Sequence, residues 1–517
     1  MSATAANTGP APMEGAQLAV TAVALSLGTF MQVLDTTIAN VSIPTITGSL
    51  GASADQGTWV ITSFAVANGI SVPLTGWLMQ RYGIVRTFIA AVIGFTVASF
   101  LCGIAWNLPS LIAFRVLQGA LSGPMMPGSQ ALLLMMFPPA RKNLALALWS
   151  MTTLVAPICG PLLGGWISDN ATWPWIFLIN VPVGLGVAVV CWANLKSRET
   201  PTRQLPIDRV GIALLAVWVG ALQIMLDKGK DEDWFDSPFI MTLLLVTLIS
   251  FVAWMIWEWT ERNPIIDFSL FKNRNFTLGL IPMSLGYAVF FANIVLLSLW
   301  IQTQLGYTAT WAGLIVAPGG IIAVIISPFV GKFMSRSDPR WLASGAFVAF
   351  AISYYLRSQL TTDAAVIHFV IPQLIQGFAM GTFFVAILSI LLDGIEPMRV
   401  PAASSVAIFC RTIAASFATS IAATMWDRRE ALHQANLASA SSIYDSTATQ
   451  ALQQLQSMGL SETAAIAVLD RQVVGQAYLL ASTEFFWLSS VVCAFLIGLI
   501  WITRRPRSSV IGAAAAD

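Results

Sequence analysis

Leu34-Asp35-Thr36-Thr37-Ile38-Ala39-Asn40-Val41-Ser42-Ile43-Pro44 closes the first long apolar run of this 517-residue chain and sets a carboxylate where a membrane helix should have none. Leu18 to Leu34 is almost wholly apolar. A helix that enters a bilayer near Leu18 reaches Asp35 after about 25 Å, still inside a hydrocarbon core about 30 Å thick. An ionisable group at that depth costs about 2.5–3.5 kcal/mol on insertion scales and marks a functional site with a partner to be found. The alternative is a helix that ends at Asp35, with the acid among the lipid headgroups. Ile38, Val41 and Ile43 argue against it by carrying the apolar pattern further.

Hydrophobic residues make up 56% of the chain and charged residues 10%, with a mean hydropathy of +0.75. That balance belongs to integral membrane proteins and excludes a large soluble enzyme. The net charge of +1 carries no message about nucleic acid. Cys102, Cys159, Cys191, Cys410 and Cys493 all lie in apolar runs without paired or metal-ligand spacing, so each reads as a small buried hydrophobe. The segment up to Gln17 lacks the basic start and cleavage site of a signal peptide, so the first run is expected to stay as a span. No GxxxxGK[ST] loop occurs, and the two histidines, His368 and His433, are far apart. Neither ATP, a cofactor, a metal nor a nucleophile–histidine pair is expected. An ion gradient remains as the energy source, worth about 2.3 kcal/mol per charge per 100 mV.

Apolar runs predict an all-α polytopic membrane protein with fourteen spans, near 18–40, 57–79, 86–105, 109–136, 143–168, 174–195, 208–227, 237–259, 276–302, 309–334, 340–357, 364–392, 400–426 and 479–503. With that count Arg81, Arg86, Arg141, Lys142 and the basic residues of 196–209, 262–274, 332–340, 399 and 504–507 fall at one face. The opposite face has Lys228, Lys230 and Arg357 in short loops, and Arg428, Arg429 and Arg471 in one long loop. The positive-inside rule makes the first face, with both termini, cytoplasmic.

The chain also repeats itself. Pro73-Leu74-Thr75-Gly76-Trp77-Leu78-Met79-Gln80-Arg81 returns as Pro328-Phe329-Val330-Gly331-Lys332-Phe333-Met334-Ser335-Arg336, and Leu117-Gln118-Gly119 with Gly123 returns as Ile375-Gln376-Gly377 with Gly381. The offsets are 255 and 258 residues. A six-helix bundle over 1–195, a linker with two extra helices over 196–275 and a second six-helix bundle over 276–517 account for that spacing. Duplicated six-helix halves are how many secondary transporters are built, with the substrate site between them at mid-bilayer. Two connections are long: a charged, proline-containing linker from Lys196 to Asp208, and a polar loop over about 427–478 with helical character from Thr449 to Gln476 and a helix start at Ser461-Glu462. The second is either a solvated loop or a docking or lid element.

Arg115, about six residues into the inward-running fourth span, reaches the depth of Asp35 and is its expected partner. A guanidinium keeps its charge, so Asp35 must do any titrating. Gln118 and Ser122 follow on the Arg115 face, and Gln32 precedes Asp35 on its own, two polar stripes that could share a cavity. A static pair that only packs helices is the bland alternative. Pro157, Gly160, Pro161, Gly164 and Gly165 should give the fifth span a bend and close helix contacts. Arg411 lies in mid-span, and Glu484, near the outer end of the last span, is either an interfacial acid or a second proton site. Trp59, Phe64, Asn68, Trp149, Met283, Tyr287, Asn293 and Phe384 are candidates, with Gln32, Gln118 and Arg411, for lining a substrate pocket; Phe290 shares the pattern.

These stretches resemble the fourteen-helix drug:proton antiporters (DHA2) of the major facilitator superfamily, closely the EmrB type. The resemblance rests on Leu34 to Val41, on Gly76 to Gly83 with Arg81 and Arg86, on Arg115 to Gly119, on Ala156 to Gly165, and on Trp173 to Pro182. It covers nearly the whole chain. Departures are Gln80, where the loop motif usually has Asp, and Ala147 and Ala156 at positions of the longer antiporter pattern that usually hold glycine. The resemblance implies export of hydrophobic toxic compounds across a bacterial inner membrane in exchange for protons. It further implies a periplasmic adaptor (membrane fusion) protein of EmrA type and an outer-membrane channel as partners, with the long outer loop available for docking. A major facilitator importer or exporter of a specific metabolite is the alternative, and a membrane-embedded enzyme or receptor is a third reading with no catalytic cluster behind it.

Overall fold

The computed structural model describes residues 13–138, 141–334, 337–362, 364–440 and 446–506. The Pro161 side chain, Ser335 and Arg336 of the repeat, and Arg507 lie outside the described residues. Every regular element within them is helical, as hydrocarbon demands of a chain whose backbone groups find no water.

Helix α1 (Gly15–Leu50) runs unbroken through Asp35 and Pro44 to a left-handed Gly51. The acid therefore lies inside a helix, not at its end. After the single turn α2 (Ala54–Gly57), α3 (Trp59–Tyr82) carries Pro73, and its parts Trp59–Ser71 and Thr75–Tyr82 meet at 55°. Proline removes a backbone donor and crowds the preceding turn, which accounts for the bend. Next come α4 (Ile84–Gly103), α5 (Leu108–Ser122), α6 (Met125–Met136), α7 (Lys142–Asn170), the short α8 (Trp175–Leu178) and α9 (Asn180–Leu195). Then follow α10 (Arg209–Lys228), α11 (Pro238–Thr260), α12 (Arg274–Thr303), α13 (Ala309–Phe333), α14 (Pro339–Arg357), α15 (Val366–Leu391), α16 (Val400–Ala440), α17 (Ser446–Ser457) and α18 (Glu462–Trp501).

Helix occupies each of the fourteen stretches read as spans. By length and composition, however, ten helices among the described residues could cross a bilayer, or eleven with the bent α3 taken as one. One cause of the shortfall is the break at Gly123-Pro124, which divides 109–136 into α5 and α6, of 15 and 12 residues.

Apolar side chains also point outwards. Ile249 and Val189 are each 68% exposed and Phe329 is 70% exposed, the pattern of helices whose outer faces meet lipid. Lipid is as apolar as leucine, so close packing of small residues, more than hydrophobicity, draws such helices together. A Cβ on Gly119 would run into the Phe64 carbonyl of α3, and one on Gly377 into the Gly319 carbonyl of α13. The contacts run α3 on α5 and α1 on α7 in one part of the molecule, and α13 on α15 and α12 on α16 in another. α7 packs on α13, and α16 on α3. Helix α10 seats beside α3 and α16: Asp227 accepts from Thr62 Oγ1, Ser420 Oγ donates to Leu226 O at 2.7 Å, and Trp218 meets Phe409 edge to face.

The segment 427–478, expected as a loop, is mostly helix. α16 has 41 residues and α18 has 40, about 60 Å each and twice the hydrocarbon thickness. Trp426 stacks near Tyr478 at 4.5 Å between ring centroids and donates to Ser482 Oγ at 2.8 Å. Arg429 and His433 both reach Glu484, at 2.8 and 3.1 Å. The helix start read at Ser461 is present, with its hydroxyl accepting from Ala464 N. Low hydropathy marked the segment as outside the membrane, but it did not mark it as unstructured.

Candidate functional site

Asp35 and Arg115 are both wholly buried and meet at 2.5 Å (Oδ2 to Nη1). Three donors converge on the carboxylate. Arg115 holds Oδ2, while Gln118 Nε2 and Asn180 Nδ2 each donate to Oδ1 at 3.0 Å. Arg115 is held in turn: its Nε donates to Val60 O at 2.9 Å and its Nη1 to Gln118 Oε1 at 2.8 Å. Its guanidinium lies over the rings of Phe64 at 4.3 Å and Phe177 at 5.4 Å. Asn180 is fixed by a second bond to Ser99 Oγ at 3.0 Å. Four long helices, α1, α4, α5 and α9, thus place one titratable group, one permanent cation and three neutral polar side chains in a site without water access.

Breaking a buried ion pair by removing one partner typically costs 3–5 kcal/mol, because the other charge is stranded. Protonation removes one charge without removing the side chain. A protonated Asp35 would keep a hydrogen bond to its neighbours and lose the charge that balances Arg115.

The other expected lining residues fall into separate groups. Asn68 donates to Ser122 Oγ at 2.6 Å, one turn along α5 from Gln118. Gln32 is buried, with an Oε1 that meets no donor. Arg411 gathers Trp149, Tyr287 and Phe384, with its guanidinium 5.6, 4.8 and 5.6 Å from their ring centroids. That site draws on α7, α12, α15 and α16. Arg411 is 2% exposed, its Nη2 faces Met126 Sδ at 3.3 Å, and its Nε and Nη1 have no acceptor. Met283 packs in the core nearby, and Trp59 is half-buried near the start of α3. Asn293 sits elsewhere, donating to Ser489 Oγ at 2.9 Å. Glu484 joins α18 to α16 through Arg429 and His433.

The two polar stripes do not open on a shared cavity, because Asp35, Arg115 and Gln118 are sealed. A cavity of about 790 Å³ instead follows α1 and α7 from Leu18 and Phe30 to Met151 and Arg141. Near it, a Cβ on Gly160 would strike Thr37 and one on Gly164 would press on Ile38, so the glycines of α7 let α1 lie against it. Gly165 is buried and Pro157 half-buried within the unbroken α7.

At the far end of α3, a Cβ on Gly76 would meet Ala402 of α16 at 2.9 Å. Gly83 has φ +92 and closes the turn into α4. Arg81 donates to Leu205 O and stacks on Trp77. The arginines of this loop therefore hold the 196–208 linker. Arg86 itself is 69% exposed; its backbone N–H and that of Val85 donate to Glu199 at 2.9 and 3.0 Å. A carboxylate over the free N–H groups of α4 is a helix cap with favourable charge. Glu199, Asn180 and Ser99 were not singled out from the sequence. For Ser99 the only available signal was an uncharged polar residue in an apolar run; Asn180 also lies within the Trp173–Pro182 stretch.

A polytopic helical protein with an acid–guanidinium pair sealed among its spans, and a second buried arginine where separate helix groups meet, is a membrane transporter by architecture. The chain belongs to the Major Facilitator Superfamily, whose model matches residues 25–419. It is 49% identical over 498 residues to the multidrug export protein EmrB of Escherichia coli K12, covering 96% of this chain and 97% of that one. It is 45% identical over 495 residues to the fatty acid resistance protein FarB of Neisseria gonorrhoeae, covering 96% and 98%. In fold it resembles the human organic anion transporter MFSD10, with a TM-score of 0.57 at 11% identity over 94% of this chain and 100% of that one. A double-Trp mutant of XylE gives 0.55 at 15% identity, over 97% and 99%.

Proposed function

We propose that this protein exports hydrophobic toxic compounds, as the name of the multidrug export protein EmrB suggests, and that it does so across a bacterial inner membrane in exchange for protons, by alternating access. The observation that carries the reading is the sealed Asp35–Arg115 pair with Gln118 and Asn180 on the same carboxylate. Facing outward, Asp35 takes a proton, its hold on Arg115 weakens and the drug leaves; facing inward, it gives the proton up and the drug binds. At a membrane potential of 100 mV one charge supplies about 2.3 kcal/mol, enough to bias a two-state equilibrium by tens-fold.

Arg411 with Trp149, Tyr287 and Phe384 is the substrate-contacting group in this reading: three ring faces for an apolar body and unpaired N–H donors for an accepting group. Fourteen spans divide as six in 1–195, two in the 196–275 segment and six in 276–517, with both termini cytoplasmic. Gly76, Gly83 and the α7 glycines are the surfaces on which the halves move. The helical projection over 427–478 docks an EmrA-type adaptor that leads to an outer-membrane channel.

The test is transport in proteoliposomes. Asp35→Asn should still exchange drug in counterflow yet fail to accumulate it against a proton gradient; full gradient-driven transport by that variant refutes the assignment.

A further inference from the structure

The step of 258 residues that takes Gln118 to Gln376 also takes Asp35 to Asn293 and Arg115 to Gln373. Helix starts agree with it: α5 begins at Leu108 and α15 at Val366, so Gln118 and Gln376 are both ten residues in, at matching depth. A second step, of 309 residues, relates α8 and α9 to the C-terminal part of α18 and takes Phe177 to Phe486 and Asn180 to Ser489. The contacts repeat as well. Asn180 donates to Asp35 in the first set, and Asn293 donates to Ser489 in the second.

In the second set the acid has become an amide and the arginine of the fifth helix a glutamine. A guanidinium is nonetheless there. It comes from Arg357 at the end of α14, a residue in register with Ser99. Side chains lean towards the N-terminus of their helix, which turns Arg357 back along α14. It donates to Gln376 and lies 5.5 Å from the Tyr354 ring centroid and 6.0 Å from that of Phe486. Arg115 lies between Gln118 and Phe177 in the same way. Ser353 Oγ donates to Pro372 O at 2.7 Å and pins α14 to α15 beside the site.

The charges differ decisively. Arg357 is 1% exposed and in no ion pair among the described residues. Its Nε and Nη1 meet no acceptor, nor does Nε2 of Gln373, one turn before Gln376. A permanent cation in low dielectric with several free donors calls for an anion. Its place at the C-terminus of α14 supplies only a partial negative charge.

We infer that the α14–α15 junction is a binding site for a small inorganic anion of chloride type, held by the Arg357 guanidinium and the Gln373 amide where the α1–α5 junction has a carboxylate. A spherical ion accepts N–H groups from any direction, so it can take the free donors of Arg357 and Gln373 without a fixed geometry. It makes the second junction a fixed counterpart of the first, with the charge supplied from solution.

Radiolabelled chloride binding to the purified full chain, with gluconate as the balancing anion, tests this. The expected result is a single saturable site that weakens about tenfold or more in Arg357→Gln, since a charge-assisted bond is lost. Asn293→Asp places a carboxylate where the first junction has one, and should abolish chloride binding while the protein stays folded. That variant decides the matter if Arg357→Gln does not fold. Asp35→Asn should bind chloride as the parent does, so failure of the proton-coupling reading leaves this result standing. No saturable binding in the parent, or binding unchanged in folded Asn293→Asp, overturns the inference.

Discussion

Arg115 and Arg411 are both buried arginines in the middle of apolar helices, and they are treated in opposite ways. Arg115 has a carboxylate, an amide, a backbone carbonyl and two ring faces about it, with only Nη2 unpaired. Arg411 has three rings and a thioether, and keeps two nitrogens unpaired. An arginine paired with a carboxylate is stable in one arrangement and responds when its partner's charge changes. One that stacks on aromatics is held by its flat face and still has N–H groups to offer. The first suits a switch, the second a contact with something that arrives.

The largest effect should come from stranding a charge at the paired site. Arg115→Gln leaves Asp35 buried without its cation and should cost about 3–5 kcal/mol, read as loss of folded protein in the membrane. Adding Asp35→Asn removes the stranded charge, so the double variant should recover its level while remaining uncoupled. Recovery of folding without transport separates the switch from the scaffold, and a well-folded Arg115→Gln alone would erase the contrast with Arg411. Next in size, Arg411→Met keeps the volume of the stack and strands no carboxylate. It should fold normally and raise the KM for a substrate with an accepting group about tenfold, from the loss of a charge-assisted hydrogen bond. An unchanged KM would leave Arg411 a packing residue.

The two sites were also unequally legible. Asp35 and Arg115 stand out because a charge in a long apolar run has few explanations, and helix rise alone put them at one depth. Asn180 and Ser99 complete the same site but are neutral, so composition does not mark them, and only the folded contact between α4 and α9 brings them to the carboxylate. The aromatic partners of Arg411 come from α7, α12 and α15, helices that meet only when distant parts of the chain pack together. The 427–478 segment was legible in part: helical character from Thr449 and the start at Ser461 were readable, but the continuation of α16 to Ala440 was not, because it depends on Trp426, Tyr478, Arg429 and Glu484 binding α16 and α18 together.

A smaller structural effect bears on the contact between α1 and α7. Gly160 lies where Thr37 of α1, two residues from Asp35, presses on α7. Gly160→Val forces a side chain into that contact and should cost about 1–3 kcal/mol as overpacking, with Asp35 and Arg115 untouched. A variant that folds but transports slowly would place the cost in the movement of α1 past α7. Wild-type transport would make the glycine incidental.

The smallest effect belongs to an ion pair outside the membrane. Asp267 is partly buried, which by itself raises its carboxyl; hydrogen bonds from Ser269 and Arg399 and the Arg399 charge outweigh that and hold it below the ordinary aspartate range. Arg399 Nη2 reaches its Oδ2 at 2.6 Å, and both side chains are about one-third exposed. A carboxyl depressed in the folded state adds stability above its unfolded pKa of about 3.9, and that stability is lost as pH falls through the folded value. Arg399→Gln should therefore lower thermal stability slightly at neutral pH, within the range of exposed pairs. The gap between variant and parent should close as the pH is taken below about 4. If it stays constant down to the acid limit, Arg399 acts through packing, and the dependence of a pair's worth on its burial, from Arg115 outward to Arg399, would have to be sought in geometry instead of charge.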